Sequence, residues 1–193
     1  MRTFVLYSGA STGAFRLEDM PSSGHRMDIV ARCVTSALFV SFALRQDTKF
    51  YVILNGPPDP PKTVVFDGAA MTAVSPDERS IGSWILKAIA VPVRGKDWVL
   101  VQRGIKVSKK SFQEVVKELK GPFYVLDERG KDVRTADVAE NPVFILGDRD
   151  DIPKNDLKFV DRFKPTKVSL GKTSYLASQC ITVVNNELDR RGV

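Results

Sequence analysis

Two rhythms of apolar and polar positions alternate along the chain. Short apolar runs with strand-like alternation predict strands at residues 2–7, 49–54 and 62–66. Between the first two lies a helical rhythm: Met27, Val30, Val34, Ala37, Leu38 and Leu44 predict a helix over 27–44. A second helix is expected from Ser80 or Ile81 to about residue 91. A third is expected over 111–120, where Phe112, Val115, Val116 and Leu119 share a face. Three further strand-like runs follow at 123–126, 142–146 and 167–170, with a helix predicted over 154–163. The final helix is expected over 174–190, striped by Ala177, Cys180, Ile181, Val184 and Leu188.

Strands alternating with helices predict an α/β fold with a mainly parallel sheet. Residues 8–24 are rich in Ser and Gly and read as a long, functional loop. The run Pro57-Pro58-Asp59-Pro60-Pro61 is a stiff connection inside the fold, because strands resume directly after it. With no internal repeat and no second boundary, residues 1–193 read as a single domain.

Composition narrows the function classes. The chain has 43% hydrophobic and 27% charged residues, enough for a core and unlike a disordered segment. The most apolar stretch, 29–44, is interrupted by Arg32, Thr35 and Ser36 and is too short to span a bilayer. The opening residues read as a strand rather than a signal peptide. Cys33 and Cys180 lie far apart, which argues against a disulfide framework or a zinc site and for a reducing cytoplasm. A single histidine, His25, disfavours catalytic triads and multi-histidine metal sites, so no metal is expected. Net charge is +6, and the segment 91–110 holds Arg94, Lys96, Arg103, Lys106, Lys109 and Lys110 against only Asp97. That segment is either a solvated loop or a phosphate-contacting patch.

Ligands of open α/β sheets sit beyond the carboxyl ends of the strands. Here those ends read Leu126-Asp127-Glu128-Arg129-Gly130, Ile145-Leu146-Gly147-Asp148 and Ser169-Leu170-Gly171-Lys172-Thr173-Ser174. Glycines at such turns allow close approach of a ligand. The start of the last helix offers free N–H groups to an anionic group, or else Thr173 or Ser174 caps them. A Walker A loop is disfavoured, because the required upstream glycine is Thr166, and no dinucleotide-binding glycine motif is present. Near the N-terminus, Asp28 and Arg32 stand at i, i+4, a spacing that also suits a plain intrahelical ion pair.

Four clusters carry a family resemblance. These are residues 26–33 (Arg-Met-Asp-Ile-Val-Ala-Arg-Cys), 75–80 (Ser-Pro-Asp-Glu-Arg-Ser), 145–148 (Ile-Leu-Gly-Asp), and Ser169-Leu170-Gly171 continuing through Ser174 to Cys180. In this order they resemble the archaeal tRNA pseudouridine-54 N1-methyltransferases, the TrmY family of the SPOUT class. The resemblance implies a SPOUT-type sheet with a C-terminal trefoil knot over roughly 121–193. It also implies a homodimer, tRNA as partner and S-adenosyl-L-methionine as cofactor. By similarity, Leu126, Gly147, Leu170, Gly171, Lys172, Thr173, Ser174, Tyr175 and Cys180 would hold the cofactor. Asp28 would accept the N1 proton of pseudouridine, and Arg26, Arg32 and Arg79 would contact RNA. The chain departs from the family pattern at Arg149-Asp150-Asp151-Ile152, Lys172 and Gln179. Another SPOUT methylation, of a ribose 2′-oxygen or a different base, and a non-catalytic RNA-binding protein are the alternative readings.

Overall fold

A computed structural model describes residues 1–192. One eight-stranded sheet organises the chain, in the order β10-β8-β9-β1-β4-β5-β7-β6. Its first half is parallel: β10 (Thr166–Ser169), β8 (Phe123–Asp132), β9 (Val143–Gly147), β1 (Arg2–Ser8) and β4 (Thr48–Leu54). Beyond β4 the sheet continues antiparallel through β5 (Lys62–Asp67), β7 (Ile105–Ser108) and β6 (Val99–Gln102). The mainly parallel sheet expected from the sequence is present, extended by an antiparallel edge, and its parallel part carries the ligand-binding ends.

Both faces are covered, which is why β1 is apolar on consecutive positions rather than alternating cleanly. Phe4 and Leu6 join one core with α2 (Met27–Leu38), α3 (Glu78–Ala90) and α6 (Ala177–Arg191). Val5 points the other way, into a second core under α4 (Phe112–Glu118) and α5 (Lys154–Val160). Buried Arg2 ties β1 to α6, donating to Asp189 at 2.8 Å and to Asn185 at 3.1 Å.

The structure redraws several boundaries. The helix expected over 27–44 stops at Leu38, where a small hairpin of β2 (Phe39–Val40) and β3 (Ala43–Leu44) takes over its end. The N–H groups of Phe39 and Arg45 satisfy the Thr35 and Leu38 carbonyls. The stretch 8–24 is not all loop: a 3-10 turn (Leu17–Asp19) and α1 (Met20–Ser23) pack against Gly82 of α3, where a side chain would strike Met20. The basic segment 91–110 contains the β6–β7 hairpin. Its signal is two β-branched runs around Arg103-Gly104, and Gly104 adopts φ +81°. Among the described residues, no helix is long and apolar enough to cross a membrane.

Candidate active site

The carboxyl ends of β8, β9 and β10 meet in one cleft of about 540 Å³, a size suited to a small-molecule cofactor. Each strand end is shaped by its own sequence. After Val125, β8 swings away from β10 over residues 126–130 and rejoins it at Lys131, opposite Val168. Gly130 makes the return possible, since a Cβ there would lie 2.5 Å from the Val168 nitrogen. Asp127 in this excursion accepts from Lys167 Nζ at 2.9 Å and from the Arg129 N–H at 2.9 Å. The Lys167 bond foremost, then that N–H, holds its carboxyl below the usual range.

At the end of β9 the chain folds back over Gly147, where a Cβ would meet the Asp150 carbonyl at 2.6 Å. Asp148 fastens this turn to the start of the first loop. It accepts from Ser8 Oγ at 2.6 Å, from the Gly9 N–H at 3.1 Å and from the Asp150 N–H at 3.1 Å. After β10, Ser169 Oγ accepts from the Gly171 N–H at 3.1 Å, and Gly171 sits at φ +115°, a region that favours glycine. The following residues run as an irregular loop until α6 begins at Ala177, three positions later than expected. Thr173 and Ser174 therefore line the cleft instead of capping the helix. Gln179 caps α6 in their place, its Oε1 accepting the Leu176 N–H at 3.1 Å.

Of the residues expected around a cofactor, Leu126, Gly147, Leu170, Gly171, Thr173, Ser174, Tyr175 and Cys180 all line this cleft. Lys172 does not; it lines a second hollow beside Val133, Arg134 and Glu187, because the loop turns its side outward there. Cys180 is half-buried, and burial pushes its thiol pKa up, which suits a wall rather than a nucleophile. Sequence reasoning read Ser8 only as the start of a loop, and it quoted Asp127 and Asp148 in the strand-end motifs without giving them a role. The signal available was a polar residue at each strand end, directly after an apolar run.

The N-terminal cluster is a compact ion-pair network. Asp28, only 5% exposed, accepts from Arg26 Nε at 3.0 Å and Nη2 at 2.9 Å, and from Arg32 Nη2 at 2.6 Å. Arg32 also reaches Glu78 at 3.4 Å, and Arg79 stands exposed beside it at the start of α3. Asp148 of the cleft accepts from the Gly9 N–H at 3.1 Å, and the Ser11 N–H donates to the Gly24 carbonyl at 3.1 Å, so one short loop joins the cleft to the segment that carries Arg26. Burial pushes the Asp28 carboxyl up, but the hydrogen bonds and charges of Arg26 and Arg32 together outweigh it and leave the pKa lowered.

His25 and Arg26 both adopt left-handed backbone, at φ 49° and 69°, and this turns Arg26 back onto Asp28. Two such non-glycine residues in succession store strain beside the site. His25 is exposed, so His25→Gly is expected to stabilise the fold by up to about 1 kcal/mol. A thermal melt checks this, and a lower Tm would contradict it.

Comparison with known proteins places this arrangement. The family model described as "Putative SAM-dependent RNA methyltransferase" matches residues 1–193. The chain belongs to that family. Its relatives within the SAM-dependent RNA methyltransferases include the tRNA (pseudouridine(54)-N(1))-methyltransferase of Methanocella arvoryzae, 39% identical, with 99% of this chain and 100% of the relative covered. The protein of the same name from Pyrococcus abyssi is 37% identical, covering 100% of both chains. That from Methanocaldococcus jannaschii is 36% identical, covering 100% of this chain and 98% of the relative. The fold is similar to that of Archaeoglobus fulgidus Nep1 in its crystal structure bound to S-adenosylhomocysteine. The TM-score is 0.68 at 13% identity, over 100% of this chain and 99% of that one.

Proposed function

We propose that this chain transfers a methyl group from S-adenosyl-L-methionine to N1 of pseudouridine 54 in tRNA. One observation carries the reading: the cleft formed by three strand ends is joined through one short loop to an arginine–carboxylate network suited to an anionic, uracil-like partner. Relatives bearing that activity as their name match the whole chain.

The cleft fits the cofactor chemically. Leu126, Leu146, Ile152, Leu170 and Ala177 offer apolar wall for an adenine ring. Asp127, Asp148, Asp150 and Asp151 bring negative charge to a cationic ligand, and the irregular loop from Gly171 to Tyr175 offers backbone groups. When bound, S-adenosyl-L-methionine supplies an electrophilic methyl group on its sulfonium.

The protein's own work is positioning and charge stabilisation. Pseudouridine N1 carries a proton that must leave around the time of attack. The sequence expectation gives that proton to Asp28. In the structure both Asp28 oxygens are occupied by guanidinium donors and the carboxyl is held below its ordinary value, so it is a weak proton acceptor. We assign it instead the role of fixing Arg26 and Arg32. Those cations are suited to a phosphate or to a uracil oxygen on which charge gathers as N1 gives its proton to solvent water. Arg79 belongs to the same RNA-facing group.

The homodimer belongs to this proposal, supported by Tyr175, Leu176 and Val183, which stand 45%, 60% and 36% exposed around the start of α6. So does the knot over roughly 121–193, supported by the placing of β8 between β9 and the later strand β10.

Incubating the protein with labelled S-adenosyl-L-methionine and a pseudouridine-containing T-loop RNA is expected to give a singly methylated base by mass spectrometry. Replacing that pseudouridine with uridine is expected to abolish the product, because N1 of uridine is the glycosidic nitrogen. Methylation of the uridine RNA would point to ribose or another base and overturn the assignment.

A further inference from the structure

The face of the sheet opposite α2 carries a charge pattern that the site does not use. Lys154, Lys158 and Arg162 follow one another at i, i+4 and i+8 along α5 and the 3-10 turn that continues it (Asp161–Phe163). They form one stripe, with successive side chains about 6 Å apart along the axis. Lys154 lies on the cleft rim, so the stripe starts at the candidate active site and leads away from it.

From the neighbouring α4, Lys117 Nζ stands 5.5 Å from the centre of the Phe159 ring, and Arg162 lies 5.3 Å from the same ring. Two cations therefore converge on one aromatic. Among the described residues, none of Lys117, Lys154, Lys158 and Arg162 has a carboxylate partner. The carboxylates nearby are engaged or turned elsewhere: Asp156 accepts from Gln113 at 2.9 Å, and Asp161 lines the cleft. By contrast, the 91–110 segment has much of its charge answered, with Lys96, Lys109 and Lys110 paired to Glu114, Asp59 and Glu118.

We propose that the Lys154–Lys158–Arg162 stripe, with Lys117 beside it, is a docking track for the tRNA phosphate backbone flanking the target loop. Unanswered cations at regular spacing match a polyanion strand, and contacts to phosphate fix register without reading sequence. The acidic cleft mouth repels phosphate, so the backbone passes beside it while the target base enters. With Arg26, Arg32 and Arg79 on the other face, the RNA is held on both sides of the cleft. The track rests on the reading of the chain as a tRNA-modifying protein.

The test is tRNA binding without cofactor, by fluorescence anisotropy at several salt concentrations. The combined variant Lys117→Gln, Lys158→Gln, Arg162→Gln spares cleft residues. It is expected to bind tRNA about tenfold or more weakly and to flatten the log K versus log salt slope by about 2–3. Its S-adenosylhomocysteine affinity, measured by calorimetry, is expected to stay at the wild-type value, showing an intact fold. The matched set Lys96→Gln, Lys109→Gln, Lys110→Gln, whose charges Glu114, Asp59 and Glu118 answer, is expected to change binding little. Unchanged tRNA affinity in the first set, or an equal loss in the second, would overturn the track, as would failure of the wild type to bind tRNA. A wild type that binds tRNA through this stripe but transfers no methyl group would sink the proposed activity and leave the track standing.

Discussion

Asp28→Asn is expected to lower kcat/KM for tRNA by about 10²-fold, the scale of losing one well-placed electrostatic contact. The amide has one oxygen to offer where the carboxylate offers two, and no charge to hold Arg26 and Arg32 together. Calorimetry with S-adenosylhomocysteine is expected to give the wild-type affinity, because Asp28 is not among the residues lining the cofactor cleft. The stability loss is expected to be about 1–2 kcal/mol, below the value for a fully buried pair, since the two arginine side chains are 40% and 35% exposed. The folded carboxyl has a lowered pKa, so its stabilising contribution is complete above the unfolded value. It is lost only as pH falls through the lower folded value. Across the neutral and alkaline range the methylation profile of the variant is therefore expected to run parallel to wild type at a lower height. A changed shape there would return the proton to Asp28.

Gly130→Ala is expected to weaken S-adenosylhomocysteine binding by about tenfold or more, the scale set by about 2 kcal/mol of overpacking. The added methyl would lie 2.5–2.7 Å from the Val168 nitrogen and the Lys167 carbonyl, which are backbone atoms of a paired strand and cannot swing aside. The excursion 126–130 must lift off β10, carrying Leu126 and Asp127 out of the cleft wall. The same strain predicts a Tm lower by roughly 4–8 °C. Gly95→Ala is the control, since nothing lies within 4 Å of a Cβ there. Calorimetry and a thermal melt on both variants check the pair, and equal behaviour would show that Gly130 is not a packing constraint.

Local patterning carried the architecture well where one periodicity persisted. The stripe Ala177–Cys180–Ile181–Val184–Leu188 marks α6, and the apolar runs around Val5, Ile53 and Ile145 mark strands that are buried on both faces. It failed where helical spacing ran past the point at which the chain must turn back. Leu44 fits the rhythm of Met27–Leu38, yet it lies in a hairpin strand that returns the chain to β4. The hairpin 99–108 is hidden by charge, because exposed Arg103 and Lys106 and the basic residues that flank it resemble loop composition.

The amino-acid order by itself determined most helices and the core strands, the glycine turns at the strand ends and the membership of Thr173, Ser174 and Cys180 in one segment near the last helix. Only the tertiary structure decided which of these residues share a cleft. Parallel pairing brings the ends of β8, β9 and β10 together across long separations in the chain, and no local rhythm encodes that register. It likewise decided that Lys172 faces away, that Asp148 answers Ser8 and Gly9, and that Asp28 has two arginine partners rather than one. Whether a carboxylate acts as a base or as an anchor depends on what its oxygens already accept, and those partners are set in space.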